Sequence, residues 1–200
     1  METQRSVYET IADAFFGEAI DVIRHADFAD FEAIAYVLDA AGRIFLTGAG
    51  RSGLVARFFA MRLMHLGKEV FVVGDTTTPS IQKDDLLIAV SGSGKTESVL
   101  SVARKAKGFG ARVLSVTIRN SMRSPLDVLA DYRIRLAVDE RTSHTHLRMV
   151  TDLSAEISIA PMGTIFELTA LIYLEMLVAQ IIRMDRISES DMRARHANLE

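Results

Sequence analysis

Apolar residues recur at helical spacing through the first forty positions, with Ile11, Phe15, Ala19, Val22 and Ile23 on one stripe and Phe31, Ile34, Ala35 and Leu38 on a second. Two packing helices are expected there. From Arg43 the pattern changes to short apolar runs bounded by turn residues: RIFLTG, EVFVVGD, DLLIAVSGSG, RVLSVTI and YRIRLAV. Runs that are apolar throughout, rather than alternating, mark strands covered on both faces. Residues 54–66 and 97–107 carry helical spacing between them, so strand and helix alternate as in a parallel sheet. The pattern predicts a doubly wound α/β sandwich, closed by a long helix over 167–184 and a short charged helix over 189–196. Residues 139–156 are polar, lack a clear period and run longer than most connections. They are expected to form an exposed excursion that orders in an assembly.

The apolar stretch 168–182 is broken by Glu175 and Gln180 and falls short of the ~20 residues a bilayer requires. The acidic Glu2, Glu9 and Asp13 occupy the region where a secretory leader carries a positive flank and an apolar core, so a cytoplasmic protein is expected. The chain has 200 residues and no cysteine, which excludes a thiol nucleophile, a redox pair and a disulfide scaffold. A chain of this length can bury a sufficient core as one domain. Its 23 Lys and Arg are balanced by 26 Asp and Glu, and the net charge of -3 offers no basic stripe for a nucleic-acid backbone.

In an open parallel sheet, ligands bind beyond the carboxyl ends of the strands, where loops feed into helix N-termini. Two loops have that placement. Gly48-Ala49-Gly50-Arg51-Ser52-Gly53 follows the strand RIFLT and reads as GxGxxG, with Asp75 closing the next strand 22 residues after Gly53. It is either a tight strand-to-helix turn or the phosphate turn of a nicotinamide enzyme. Ser91-Gly92-Ser93-Gly94-Lys95-Thr96 follows DLLIAV and sets two serines and a threonine among glycines. Backbone N–H groups freed by glycine, together with short hydroxyls, suit the oxygens of a compact phosphate. Gly94-Lys95-Thr96 also occurs in nucleoside-triphosphate loops, but the leading glycine of that motif is replaced by Ala89. A plain surface turn with a helix cap at Ser93 or Thr96 is the third reading.

Two phosphate-type loops with hydroxyls favour a sugar phosphate, whose chemistry needs a group that moves protons. Glu167 is the candidate. Thr164 and Glu167 also have the TxxE spacing of a capping box that merely starts a helix. Glu167 shares a stripe with Leu171, Leu174, Val178 and Ile181, so its carboxylate is expected to begin on the inward face. Burial would raise its pKa and a helix N-terminus would lower it. His65 ends the helix after the first loop and reads as either a packed or a catalytic histidine. His144 and His146 fall in the excursion and are read as solvent-exposed. His196 sits near the end of the sequence.

In order along the chain, GAGRSG, AMRLMHLG, VGDTTTPS, KDDLLIAVSGSGKTESVL, PMGTIFE and RHANL resemble the sugar isomerase (SIS) domain family, and within it the branch acting on 3-hexulose phosphates. The resemblance runs from Gly48 to Leu199. It implies a five-stranded parallel sheet in an α/β/α sandwich over residues 41–200, with the helices of residues 1–40 packed on it and in the oligomer. It also implies a homotetramer and no cofactor or metal. The implied reaction interconverts D-arabino-3-hexulose 6-phosphate and fructose 6-phosphate, the step after formaldehyde capture in the ribulose monophosphate pathway. By the same resemblance, Ser91, Ser93 and Thr96 hold the phosphate, with Gly92, Gly94 and Lys95 lending backbone, and Arg51 and Ser52 contact the sugar or phosphate. Glu167 moves the proton, and His65 of a neighbouring subunit assists at a sugar oxygen. The rivals are a five- or seven-carbon sugar-phosphate isomerase of this fold, a sugar-phosphate sensor without turnover, and the nicotinamide dehydrogenase.

Overall fold

The computed structural model describes residues 6–26, 28–138 and 163–198. Five parallel strands form one sheet: β1 (Arg43–Gly48), β2 (Glu69–Val72), β3 (Leu86–Val90), β4 (Arg112–Ile118) and β5 (Tyr132–Leu136), in the order β2-β1-β3-β4-β5. Every residue of β3 is buried, which is why its sequence is apolar on both faces. The helices are α1 (Val7–Arg24), α2 (Phe31–Ala40), α3 (Arg51–His65), α4 (Glu97–Gly108), α5 (Pro125–Leu129), α6 (Thr164–Asp185) and α7 (Glu189–Ala194).

Two apolar clusters separate the layers. Val55, Phe59 and Leu63 of α3 pack with Tyr173, Leu174 and Leu177 of α6 on one face of the sheet. Val99, Leu100 and Ala103 of α4 pack with Leu126 of α5 on the other. The arrangement is the doubly wound α/β/α sandwich expected. Helices α1 and α2 lie against α6. Half of α1 stays open, with Tyr8, Phe16 and Ile20 exposed. The connections from β1 and β3 depart to opposite faces, so a crevice opens between the carboxyl ends of these neighbouring strands.

Several boundaries differ from the sequence pattern. Helix α3 begins at Arg51 rather than Leu54, because Gly50 turns the chain at φ 56° and helical geometry follows at once. Gly163, at φ 87°, precedes α6 in the same way, so Thr164 is already the first helical residue. The TxxE capping box therefore does not form: its register requires Thr164 at the cap, one position later than the actual cap. Thr96 is the cap residue of α4, but its side chain does not cap the helix. Helix α6 has 22 residues and is long and apolar enough to cross a bilayer, in contrast to the shorter expected stretch. One face of it instead lies inside the fold, with Ile165, Phe166, Ala170, Tyr173, Leu177 and Ile181 all buried. The excursion over 139–156, with His144 and His146, lies outside the described residues.

Candidate functional site

The β1–α3 turn is shaped by close backbone approach. A Cβ at Gly48 would stand 2.7 Å from the Ser52 carbonyl oxygen, and one at Gly53 would stand 2.8 Å from the Gly48 oxygen. Glycine at both positions lets the strand end touch the helix start. Arg51 and Ser52 thus form the first turn of α3, whose leading N–H groups have no partner within the helix. The tight-turn reading is satisfied in full. Asp75, the carboxylate a nicotinamide enzyme would offer to a ribose, is instead held by Arg57 through Nη2–Oδ1 at 2.7 Å and Nη1–Oδ2 at 3.4 Å.

The β3–α4 loop is tied down along its length. Ser91 N–H donates to the Val116 carbonyl at 3.0 Å, and Ile118 N–H donates to the Gly92 carbonyl at 3.0 Å. Gly94 turns at φ 60°, and its carbonyl accepts from Leu126 N–H at 3.1 Å. The Ser91 and Thr96 hydroxyls lie 3.1 Å apart, and Ser93 Oγ accepts from Lys95 N–H at 3.2 Å. The loop therefore presents its short hydroxyls from a fixed frame. Part of that frame is the β4–α5 connection, which the sequence reading passed over. Its signal was Ser124-Pro125-Leu126-Asp127, a cap followed by proline at the first helical position, and Ser124 Oγ does accept from Asp127 N–H at 3.2 Å.

The two loops meet at the N-terminus of α6. A Cβ at Gly92 would stand 3.1 Å from the Phe166 ring, so the hydroxyl loop rests on the residue next to Glu167. Glu167 is mostly buried and accepts from Arg51 Nε at 2.9 Å, joining residues 116 apart in sequence. The more exposed Arg51 side chain closes over it from the β1–α3 turn. Burial pushes the Glu167 carboxyl above its ordinary range, partly offset by the charge and hydrogen bond of Arg51. A mostly buried carboxylate beside a guanidinium and a set of anchored hydroxyls can exchange a proton with the carbon of a bound phospho-sugar.

His65 is not part of this constellation within one chain. It ends α3, 14 residues beyond Arg51, and a helical rise of 1.5 Å per residue puts it about 21 Å away. There it is buried and stacks on His196, ring centroids 5.2 Å apart. Burial, then the neighbouring His196 and Arg62, hold its pKa below the ordinary histidine range. Arg195 Nη1 donates to the His65 carbonyl at 3.4 Å, so the RHANL segment binds the carboxyl end of α3.

The model for the SIS domain matches residues 37–160. The chain is 42% identical over 169 residues to the 3-hexulose-6-phosphate isomerase of Methylomonas aminofaciens, covering 84% of this chain and 87% of that one. It is 43% identical over 159 residues to the 3-hexulose-6-phosphate isomerase of Methanocaldococcus jannaschii, covering 80% and 78%. Among solved structures, a hypothetical protein from Methanococcus jannaschii, whose crystal structure was taken to infer a function of 3-hexulose-6-phosphate isomerase, superposes with a TM-score of 0.74 at 34% identity, covering 96% of this chain and 98% of that one.

Proposed function

The chain belongs to the SIS domain family, and on that premise we propose that it is an isomerase interconverting D-arabino-3-hexulose 6-phosphate and fructose 6-phosphate. The observation that carries the reading is Glu167: a carboxylate on the α6 N-terminus, held by Arg51 and set against the loop that presents Ser91 and Thr96. Ser91, Ser93 and Thr96 bind the substrate phosphate, with backbone from Gly92, Gly94 and Lys95, and Ser52 lends an N–H from the first turn of α3. Grip on the phosphate holds the carbon skeleton against the carboxylate, so remote binding energy becomes orientation of the reacting carbons.

In the forward direction Glu167 takes the proton from C2, beside the C3 carbonyl, and the electron pair moves to give a 2,3-enediolate. The same carboxyl returns that proton to C3, while the hydroxyl proton passes from O2 to O3. Carbonyl and hydroxyl exchange places with no net change in atoms or electrons. Arg51 stabilises the charge that develops on the oxygens. No cofactor is used. His65 of a neighbouring subunit serves at a sugar oxygen, which accords with its distance from Glu167 within one chain. The assembly is a homotetramer, for which exposed Leu54, Met61 and Met64 on α3, Leu168 and Ile172 on α6, and Tyr8, Phe16 and Ile20 on α1 supply apolar contact. Sedimentation of the purified protein should give four copies; a monomer at working concentration, with turnover intact, removes both the assembly and the role of His65. The enzyme is cytoplasmic and acts in formaldehyde fixation through the ribulose monophosphate pathway.

The test is NMR of the protein with fructose 6-phosphate in D₂O. The expected result is the 3-hexulose phosphate in equilibrium with its 2-ketose. A silent spectrum from folded protein overturns this substrate and directs the test to five- and seven-carbon sugar phosphates.

The pH dependence follows from the Arg51–Glu167 pair. Glu167 must be ionised to accept the proton, so kcat/KM falls as pH drops through its pKa, which burial has raised. Arg51 opposes that rise, so Arg51→Gln raises the pKa further. The acid limb of the profile is therefore expected to move to higher pH in this variant, beyond any loss of rate at the plateau. An unmoved limb would separate Arg51 from the ionisation of Glu167.

A further inference from the structure

On the side of the hydroxyl loop facing away from Glu167's partner Arg51, the β4–α5 connection bounds an open surface cavity of about 300 Å³, whose walls include the exposed Ser93, Lys95, Asn120, Met122 and Arg123 and the buried Ser124. Its walls belong to two segments already locked together through Ile118 N–H to the Gly92 carbonyl and Leu126 N–H to the Gly94 carbonyl. The cavity has a firm frame.

Among the described residues its charge is uncompensated. No described carboxylate pairs with the side chain of Lys95 or Arg123. The acids close by in sequence are engaged elsewhere: Glu97 accepts from Arg104 at 2.7 Å, and buried Asp127 takes both arms of Arg135 at 3.0 and 2.9 Å. In a chain of net charge -3, two cations with no described acidic partner on one small cavity concentrate positive potential there. Arg123 is also held at φ 67°, a region an arginine seldom occupies, and its N–H is directed at Asp127 Oδ2, 3.4 Å away. A strained backbone at an arginine with no described acidic partner, on a cavity wall, is where a functional reason for the strain is expected.

We infer that this cavity is a second anion site, taking a phosphoryl dianion alongside the substrate's own phosphate. The planar guanidinium of Arg123 offers two parallel donors to phosphate oxygens, Lys95 adds a point charge, and the amide of Asn120 and the hydroxyl of Ser93 supply neutral donors. The size admits a phosphate with a short carbon segment and is too small for a dinucleotide. The ligand is free phosphate, because a second phosphate at C1 of the bound sugar would lie beside Glu167 and away from this cavity. Because Ser93 and Lys95 border both sites, occupancy here bears directly on sugar-phosphate binding. The inference goes beyond the isomerase reading and does not need turnover.

The experiment titrates inorganic phosphate, by calorimetry and phosphorus NMR, into the full chain saturated with fructose 6-phosphate. Arg123→Gln and Arg123→Gly are tested beside the wild type, the second because glycine accepts the positive φ without strain. Phosphate binding in the presence of fructose 6-phosphate, weakened about tenfold or more in both variants, identifies free phosphate as the occupant. Fructose 6-phosphate affinity should stay within about threefold, since Arg123 is not among the residues assigned to the substrate phosphate. Phosphate that only competes with fructose 6-phosphate overturns the proposal, as does any second-site binding unchanged in both variants. If fructose 6-phosphate fails to bind, the isomerase reading falls, and phosphate titrated alone into wild type and variants still decides the cavity.

Discussion

Glu167→Gln is expected to lower kcat by about 10²- to 10⁴-fold while the affinity for fructose 6-phosphate changes by less than about threefold. The substitution is nearly isosteric, and the amide oxygen can still accept from Arg51 Nε, which meets the carboxylate at 2.9 Å in the wild type. What is lost is the proton acceptor. Burial already disfavours the charged form of Glu167, so a neutral amide at this position adds no desolvation cost and the fold should be retained. Binding depends on the hydroxyl loop, which this change leaves untouched. Calorimetry with fructose 6-phosphate and NMR turnover in D₂O separate the two effects. A folded variant turning over within tenfold of wild type would remove Glu167 from the reaction, and one that also loses affinity would assign it to binding.

Much of this site was legible before any coordinates, and the reason is local. The buried strands announce themselves because a parallel sheet covered on both faces leaves no position for a polar side chain, as all five residues of β3 illustrate. The two loops announce themselves because glycines and hydroxyls stand directly after those strands. Glu167's inward placement follows from its stripe with Leu174, Val178 and Ile181, all buried. The facts that stayed hidden are those set by tertiary contact or by a single torsion. Gly50 and Gly163 start their helices through positive φ, which moved α3 and α6 three residues earlier than apolar spacing indicated. Nothing local pairs Arg51 with Glu167 across 116 residues. The distance of His65 from the site becomes visible only once α3 is seen to run unbroken from Arg51. The β4–α5 connection was overlooked because its residues neither repeat nor cluster; its importance lies in the hydrogen bonds it sends back to the hydroxyl loop.

That dependence makes Gly94→Ala the second change with a large expected effect. Gly94 sits at φ 60°, and a Cβ built there would lie 2.1 Å from Ser124 Oγ and 2.8 Å from Ser124 Cβ. Alanine therefore meets two costs: a positive φ worth about 1–3 kcal/mol, and an overlap with a buried side chain that has little room to withdraw. Ser124 is held because its Oγ caps α5. The loop is the part that gives way, carrying Ser91, Ser93 and Thr96 out of register. KM for fructose 6-phosphate is expected to rise about tenfold or more, with a lower Tm, since each 1.4 kcal/mol is a factor of about ten in affinity. The double variant Gly94→Ala, Ser124→Gly discriminates between the two costs. Serine to glycine at a helix cap costs only about a few tenths of a kcal/mol by itself. It removes both overlapping atoms, so in the alanine background it should recover part of the lost affinity and stability. Non-additivity of that sign is the signature of two side chains competing for one space. If Ser124→Gly instead adds to the damage, steric overlap is not the cause, and the requirement for glycine at position 94 lies in its backbone torsion alone.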